Sequence, residues 1–225
     1  MEIGIGLIGA RYMGKLHAVA LNAVAAVFNT PLRPRLEMIC TTTEDGAEAK
    51  AAQFGFARST SNWSQLVSDP RVEAVVIASP QTTHREIALK ALELGKPVLC
   101  EKPLGASLSD ATAMTNAAEA SGQVNLMGFN YIRTPVTQLA HQLIKQGEIG
   151  EVTFFRGEHT EDFLADPDTP ASWRTSAETK GTMGDLSPHL INLAHVLVGP
   201  IKRLSAQIET IFKTRPSEHG SNNTL

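Results

Sequence analysis

Short apolar runs alternate with longer alanine-rich runs over about the first 130 residues, and this alternation constrains the fold more than any other feature. The apolar runs are predicted strands, and they lie at 3–8, 36–40, 72–78, 98–100 and 124–127. The longer runs are predicted helices, and they lie at 13–27, 44–54, 82–94, 108–121 and 135–146. Strands that are apolar along their whole length are buried on both faces. The sequence therefore predicts an α/β fold with a doubly wound parallel sheet.

The character of the sequence changes after Gly150. Strands are predicted at 151–159 and 204–212 and a helix at 188–198, whereas 160–182 and 214–225 show neither pattern. Two strands alone are marginal in water. We therefore expect two domains. An α/β domain over 1–130 precedes an incomplete α+β domain over 131–225, whose sheet is either cut short or completed by a partner.

Composition excludes several classes of protein. Of 225 residues, 42% are hydrophobic and 19% charged, and 20 basic against 23 acidic residues give a net charge of −3. These values exclude a disordered chain and give no indication of nucleic-acid binding. No apolar run reaches the roughly 18 residues of a membrane span. With two cysteines, no signal-peptide pattern and no metal-ligand spacing, we expect a cytoplasmic protein without a metal site.

Glycines mark the turn between the first strand and the first helix. Residues 6–14 read GLIGARYMG, so Gly9 and Gly14 fill the first and third positions of a dinucleotide-binding fingerprint and Arg11 fills the second. Arg11 would either crowd a pyrophosphate or pair with it, and a plain strand–turn–helix without a ligand explains the residues equally well. The predicted cofactor loop comprises Gly9, Arg11, Tyr12, Met13 and Gly14.

Further candidates follow the other predicted strands, because ligands bind at the carboxyl edge of a parallel sheet. The second strand is followed by Thr41, with no carboxylate before Glu44, so NADP is allowed as well as NAD. A helix cap at Thr41, with Glu44 completing a capping box, is an equally good interpretation. The loop after the third strand offers Ser79, Pro80, Gln81 and His84 as cofactor contacts, although His84 is better explained by packing or capping.

Two motifs carry groups suited to acid–base chemistry. Glu101-Lys102-Pro103 follows the 98–100 strand, although a Lys-Pro turn at such a place is usually only solvated. Asp185 and His189 are four residues apart where the last helix is predicted to open, so we expect them on one face. A carboxylate beside an imidazole suits a general acid or base, whereas an Asp alone at a helix start is more often a cap.

Four motifs in this order resemble those of the Gfo/Idh/MocA oxidoreductases, and the resemblance runs from residue 1 to about 212. They are GLIGARYMGKLH at 6–17, EKP at 101–103, GFNYIR at 128–133 and GDLSPH at 184–189. The resemblance implies a Rossmann domain followed by a domain with a mostly antiparallel sheet. It also implies hydride transfer between NAD(P) and a hydroxyl-bearing carbon of a sugar, cyclitol or related polyol.

The resemblance assigns roles to individual residues. It makes Lys102, Asp185 and His189 the active-site residues, and it places Asn130, Tyr131 and Arg133 along the substrate cleft. Near the cofactor it places Glu101, Lys102, Trp173 and Arg174. His189 is then the candidate base, and Lys102 would stabilise a developing alkoxide. Asp185 would orient His189 or hold a neighbouring substrate hydroxyl.

Two departures from the family pattern keep other functions open. Arg11 replaces the second glycine, and the chain ends where the family's sheet has several strands to come. One alternative is a non-catalytic dinucleotide-binding or regulatory protein, because a fold does not fix a function. The joint presence of Lys102, Asp185 and His189 argues against it. The other alternative is an inactive, truncated family member. A homo-oligomer formed through the second-domain sheet is also left open.

Overall fold

Six parallel strands build the sheet of residues 1–128 in the computed structural model, which describes residues 1–176, 179–217 and the backbone of 222–224. These strands are β1 (Glu2–Ile8), β2 (Arg33–Cys40), β3 (Arg58–Thr60), β4 (Ala74–Ile77), β5 (Val98–Cys100) and β6 (Asn125–Met127). Their order is β3-β2-β1-β4-β5-β6, and each neighbouring pair is parallel. The order reverses between β1 and β4, and such a switch point is where ligands bind in open α/β sheets.

Five helices connect these strands, and both faces of the sheet carry an apolar core. The helices are α1 (Tyr12–Val27), α2 (Glu44–Phe54), α3 (Trp63–Ser68), α4 (His84–Glu93) and α5 (Leu108–Ser121). Leu7 and Val76 belong to one buried cluster, whereas their neighbours Ile8 and Ile77 belong to the other. Because successive strand side chains point to opposite faces, this division confirms the predicted sheet that is buried on both sides.

The sequence did not predict the short elements β3 and α3, and it predicted one helix where the structure has a 3-10 turn followed by α4. β3 has three residues, two of them hydroxyl-bearing, and α3 has six, so neither carries a visible hydrophobic period. Asn62 caps α3 by accepting hydrogen bonds from Ser64 N and Gln65 N. The predicted helix over 82–94 is a 3-10 turn at Gln81–Thr83 followed by α4.

The chain divides into two units, Met1–Gly128 and Phe129–Leu225. The second unit contains α6 (Pro135–Lys145), α7 (Gly181–Asp185) and α8 (Ser187–Leu197), with 3-10 turns at Tyr131–Arg133 and Trp173–Thr175. Its strands β7 (Thr214–Pro216) and β8 (Asn222–Thr224) pair antiparallel. Within the residues that the structure describes, no helix has both the length and the hydrophobicity needed to cross a membrane.

The two strands predicted for the second unit are wrong. Neither 151–159 nor 204–212 forms a strand in the described structure. A strand needs a neighbour for its N–H and C=O groups, and the described part of the chain gives these segments none. Their apolar side chains stay exposed, as Phe154, Ile208 and Ile211 show. Conversely, β7 and β8 lie in the tail, where no element is predicted, and residues 218–221 and 225 of that tail fall outside the described residues.

Candidate functional site

The turn between β1 and α1 requires glycine at two of its fingerprint positions. Gly9 has a φ of +97°, and a Cβ there would lie 2.5 Å from the carbonyl group of Ala78. A Cβ on Gly14 would lie 2.0 Å from the carbonyl oxygen of Gly9. The loop between β1 and α1 is therefore packed so closely against the start of the helix that only glycine fits at these two positions. This cradle of bare backbone fits the pyrophosphate of a dinucleotide, which binds at a helix N-terminus.

Arg11 does not disturb this turn. Its φ of −74° and ψ of −158° are open to any residue, and its side chain is exposed. The first turn of α1 contains no acidic side chain, and among the described residues none caps it with a side chain. Arg11 therefore adds a positive charge beside the helix N-terminus without a cost in backbone conformation. Tyr12 is exposed and Met13 is half-buried at the start of the same helix.

The other cofactor residues predicted for the first unit follow three strands of the sheet. Because parallel strands end at one edge, they share that edge with the glycine turn. Thr41 follows β2; Ser79, Pro80, Gln81 and His84 follow β4; Glu101 and Lys102 follow β5.

The predicted cap at Thr41 is wrong by two residues. Thr43 is the N-cap of α2, and its side chain accepts a hydrogen bond from Gly46 N. The Thr41 hydroxyl donates instead to the carbonyl oxygen of Thr43, at 2.9 Å. Glu44 takes no part in a capping box, because its Oε1 accepts hydrogen bonds from the backbone N–H and the hydroxyl of Ser61.

Glu101 is engaged inside the first unit. Its side chain lies 2.7 Å from His17 Nε2 on α1, and Glu101 as a whole is 5% exposed. A Cβ on Gly128 would lie 2.7 Å from the same carboxylate oxygen, so a larger residue at 128 would require this carboxylate to shift. A direct contact between Glu101 and the cofactor stays a prediction. His17 is not among the predicted site residues, because a histidine on a helix gives no signal until its partner is known.

His84 joins the loops that follow β4 and β5. Its ring is buried, with 1% of the residue exposed, and Nε2 lies 2.9 Å from the carbonyl oxygen of Ser79. Nδ1 lies 3.1 Å from the carbonyl oxygen of Pro103. Burial lowers the pKa of His84 below its ordinary value. This environment favours the packing interpretation, and a direct cofactor contact stays a prediction.

The second unit surrounds His189 with aromatic rings. Its imidazole stacks on Tyr131, with the ring centroids 4.3 Å apart and the planes 31° from parallel. Phe129 and His159 complete the cluster, with centroids 6.3 and 6.0 Å from that of His189. The structure thus brings a predicted substrate residue, Tyr131, against the predicted base. Asn130 and Arg133, on either side of Tyr131, are exposed, and sequence analysis missed His159.

Asp185 binds an arginine of the same unit. The carboxylate accepts a hydrogen bond of 2.9 Å from Nε of Arg174, and Asp185 is 7% exposed. The Arg174 guanidinium also lies 4.3 Å from the centre of the Trp173 ring, so the predicted Trp-Arg element is held as one piece. The expected shared helix face is wrong. Asp185 ends α7, whereas His189 lies in α8, and Leu186 separates the two helices.

Both units match models of one protein family. The model described as the oxidoreductase family with an NAD-binding Rossmann fold matches residues 3–129, and the GFO/IDH/MocA C-terminal domain matches residues 137–224. The chain belongs to the Gfo/Idh/MocA family. Family membership confirms the resemblance inferred from the four sequence motifs, and the first unit is the family's Rossmann domain.

The relatives include sugar dehydrogenases. Levoglucosan dehydrogenase of Pseudarthrobacter phenanthrenivorans is 38% identical over 100% of this chain and 58% of its own length. Glucose-6-phosphate 3-dehydrogenase of Bacillus subtilis is 32% identical over 94% of this chain and 59% of its own length. A solved structure of levoglucosan dehydrogenase in complex with NADH matches with a TM-score of 0.97 and 36% identity, over 100% of this chain and 60% of that one. The chain thus spans about three fifths of the length of these relatives.

Proposed function

We propose that the protein is an NAD(P)-dependent dehydrogenase or reductase acting on a hydroxyl-bearing carbon of a sugar, anhydrosugar or cyclitol. The observation that carries this proposal is the close-packed cradle at Gly9 and Gly14, in a chain of a family whose members include levoglucosan dehydrogenase. Relatives named scyllo-inositol 2-dehydrogenase and D-xylose 1-dehydrogenase support the same class of substrate.

The first unit would hold the dinucleotide, which when bound supplies the acceptor or donor of hydride. Gly9 and Gly14 would admit its pyrophosphate close to the backbone, and the N–H groups at the start of α1 would favour its negative charge. Arg11 adds a cation at the same helix end. The Lys102 ammonium stabilises the negative charge that develops on the substrate oxygen as its proton leaves.

The second unit would supply the base. A secondary alcohol that loses hydride also loses its hydroxyl proton, and His189 accepts that proton at an imidazole nitrogen. The stacked ring of Tyr131 fixes the plane of this imidazole. Asp185 acts as a positioning residue, because its carboxylate holds the guanidinium of Arg174 against Trp173.

The test is turnover by the full chain. Reduction of NAD⁺ or NADP⁺ is followed by absorbance with levoglucosan, an inositol, xylose and glucose 6-phosphate as substrates. We expect turnover with at least one of them, and a loss of about 10²-fold or more in Lys102→Ala and His189→Ala, with NADH binding nearly intact. A folded chain that binds NADH without turnover would favour the non-catalytic alternative. Variants that lose binding but keep turnover per bound cofactor would contradict the assigned roles.

Two further expectations stay predictions. One is a homo-oligomer formed through the second unit, which the apolar side chains exposed there, such as Phe154 and Ile208, make worth testing by light scattering. The other is a cytoplasmic location, which fractionation of expressing cells would test.

A further inference from the structure

We infer that Glu44, held by Ser61, makes the dinucleotide site select NAD over NADP. This inference rests on the proposed function and deepens it. In Rossmann domains an acidic side chain beyond the second strand accepts a hydrogen bond from the ribose 2′-hydroxyl of NAD, whereas an arginine accommodates the 2′-phosphate of NADP. β2 is followed by Thr41, which has no charge, so the sequence alone leaves the choice open. The structure points to a carboxylate three residues further on.

Two hydrogen bonds fix the Glu44 carboxylate at the carboxyl edge of the sheet. Glu44 is the first residue of α2, directly after the loop that leaves β2, and Ser61 directly follows β3. The Ser61 hydroxyl and backbone N–H donate to Oε1 of Glu44 at 2.5 and 3.1 Å. Although the side chain is exposed, it is therefore tied to the end of the neighbouring strand. Within the described part of the chain no hydrogen bond reaches Oε2, and this oxygen is suited to accept from a ribose hydroxyl.

The charge of Glu44 is present at neutral pH and acts on the end of β2. The two bonds from Ser61 lower the pKa of the Glu44 carboxyl below its ordinary value. The Cys40 thiol, at the last position of β2, responds to that charge. Burial first and the Glu44 carboxylate second raise the pKa of this thiol to about 11. The Glu44 carboxylate is thus close enough to the end of β2 for its charge to act there.

The segments that follow β2 and β3 supply no cation to offset this negative charge. Residues 41–49 and 59–69 contain no Lys, Arg or His, and Asp45 adds a second carboxylate in the first turn of α2. The Lys50 ammonium, further along that helix, donates to Gln53. A 2′-phosphate would therefore meet like charge without a counter-ion from these two segments, which costs affinity, whereas a 2′-hydroxyl would find an acceptor. The cation of the predicted cofactor loop, Arg11, lies on the separate turn between β1 and α1.

The test is a fluorescence titration of the full chain with NADH and with NADPH, and the measured quantity is the ratio of the two dissociation constants. We expect the wild type to bind NADH on the order of tenfold or more tightly than NADPH. Glu44→Gln keeps a side-chain oxygen for Ser61 but loses the charge, so the ratio should fall toward one, mainly through tighter NADPH binding. Ser61→Ala removes the hydroxyl bond and keeps the one from the backbone N–H, so the carboxylate is held less firmly and the ratio should fall part of the way.

Glu48→Gln is the matched control, because it makes the same change of charge one turn further along α2, on an exposed side chain. It should leave the ratio nearly unchanged. Equal binding of both cofactors by the wild type, or an unchanged ratio in Glu44→Gln, would overturn the inference while leaving the proposed function standing. A folded wild type that binds neither cofactor would overturn both.

Discussion

His17 Nε2 lies 2.7 Å from Oε1 of Glu101, and this contact ties α1 to the turn that carries Lys102. α1 begins at the glycine turn, which is expected to hold the phosphates of the cofactor. The hydrogen bond therefore connects this helix with the Glu101-Lys102 turn, which is expected to lie at the site of hydride transfer. Gly128, at the end of the first unit, packs against the same carboxylate. The pair is therefore placed to keep Lys102 in a fixed position relative to the glycine turn.

The pair should contribute measurably to stability. His17→Ala leaves the buried Glu101 carboxylate without its donor, and we expect a loss of about 1.5–3 kcal/mol in the free energy of unfolding, measured in urea. His17→Gln should lose less, because its amide can donate to the carboxylate. In a double-mutant cycle with Glu101→Gln the two changes should be non-additive. Additive losses would show that the two side chains do not interact in solution.

Gly14→Ala should impair both folding and cofactor binding. The added Cβ would stand 2.0 Å from the Gly9 carbonyl oxygen, so the glycine turn and α1 would have to move apart. We expect lower stability and a loss of NADH affinity of about tenfold or more, measured by fluorescence titration. Gly122→Ala is the control, because its φ of +64° is strained for alanine but its Cβ meets nothing within 4 Å. That variant should lose stability and keep its NADH affinity; equal losses of affinity would refute the role of close packing at Gly14.

The buried carboxylate of Glu37 on β2 should be a stability determinant unrelated to catalysis. Glu37 is 2% exposed, and its Oε1 accepts a hydrogen bond of 2.8 Å from Nε of Arg58. Glu37→Ala removes a buried acceptor, but Arg58 keeps Asp69 as a second ion-pair partner at 2.5 Å, so the variant should cost about 1.5–3 kcal/mol. Glu2→Ala removes an exposed carboxylate 3.7 Å from Arg35 and should cost less than about 1 kcal/mol. Similar losses in the two variants would contradict this difference in burial.

Stability should fall as the pH drops below 6.5, in part through His84. Burial lowers the pKa of His84 from the ordinary 6.5 in the folded protein, so the unfolded chain takes up the proton first. The unfolded state then binds more protons, and stability decreases as the pH falls from 6.5 toward the folded-state pKa. His84→Asn should show a shallower decline than the wild type in urea unfolding at stepped pH. An unchanged slope would mean that the pKa of His84 does not differ between the folded and the unfolded state.

Local chain chemistry explains why much of the first unit could be predicted. The helix over 108–121 has its predicted bounds, because the Ser107 side chain accepts from Asp110 N at one end and Gly122 adopts a φ of +64° at the other. The need for glycine at Gly9 and Gly14 likewise follows from a motif of known geometry. Each of these features depends on residues close together in the sequence.

The errors arose where structure depends on distant residues. Whether 151–159 forms a strand depends on a neighbouring strand, and hydrophobic alternation does not supply one. Asp185 and His189 have helical spacing, yet Leu186 ends one helix before the next begins, and Asp185 instead binds Arg174. The contacts of Glu101 with His17 and of Glu44 with Ser61 join separate elements, so sequence spacing gave no indication of them.

Hydride transfer itself provides the most direct measurement. The full chain is incubated with NAD⁺ and, in separate reactions, with levoglucosan, an inositol, xylose or glucose 6-phosphate. Each member of this panel is deuterated at its hydroxyl-bearing carbons. The reduced cofactor is then analysed by mass spectrometry. The proposed function predicts deuterium in the reduced cofactor, in amounts that Lys102→Ala and His189→Ala strongly reduce. A folded chain that binds NADH and yields no deuterated cofactor with any member of the panel would contradict it.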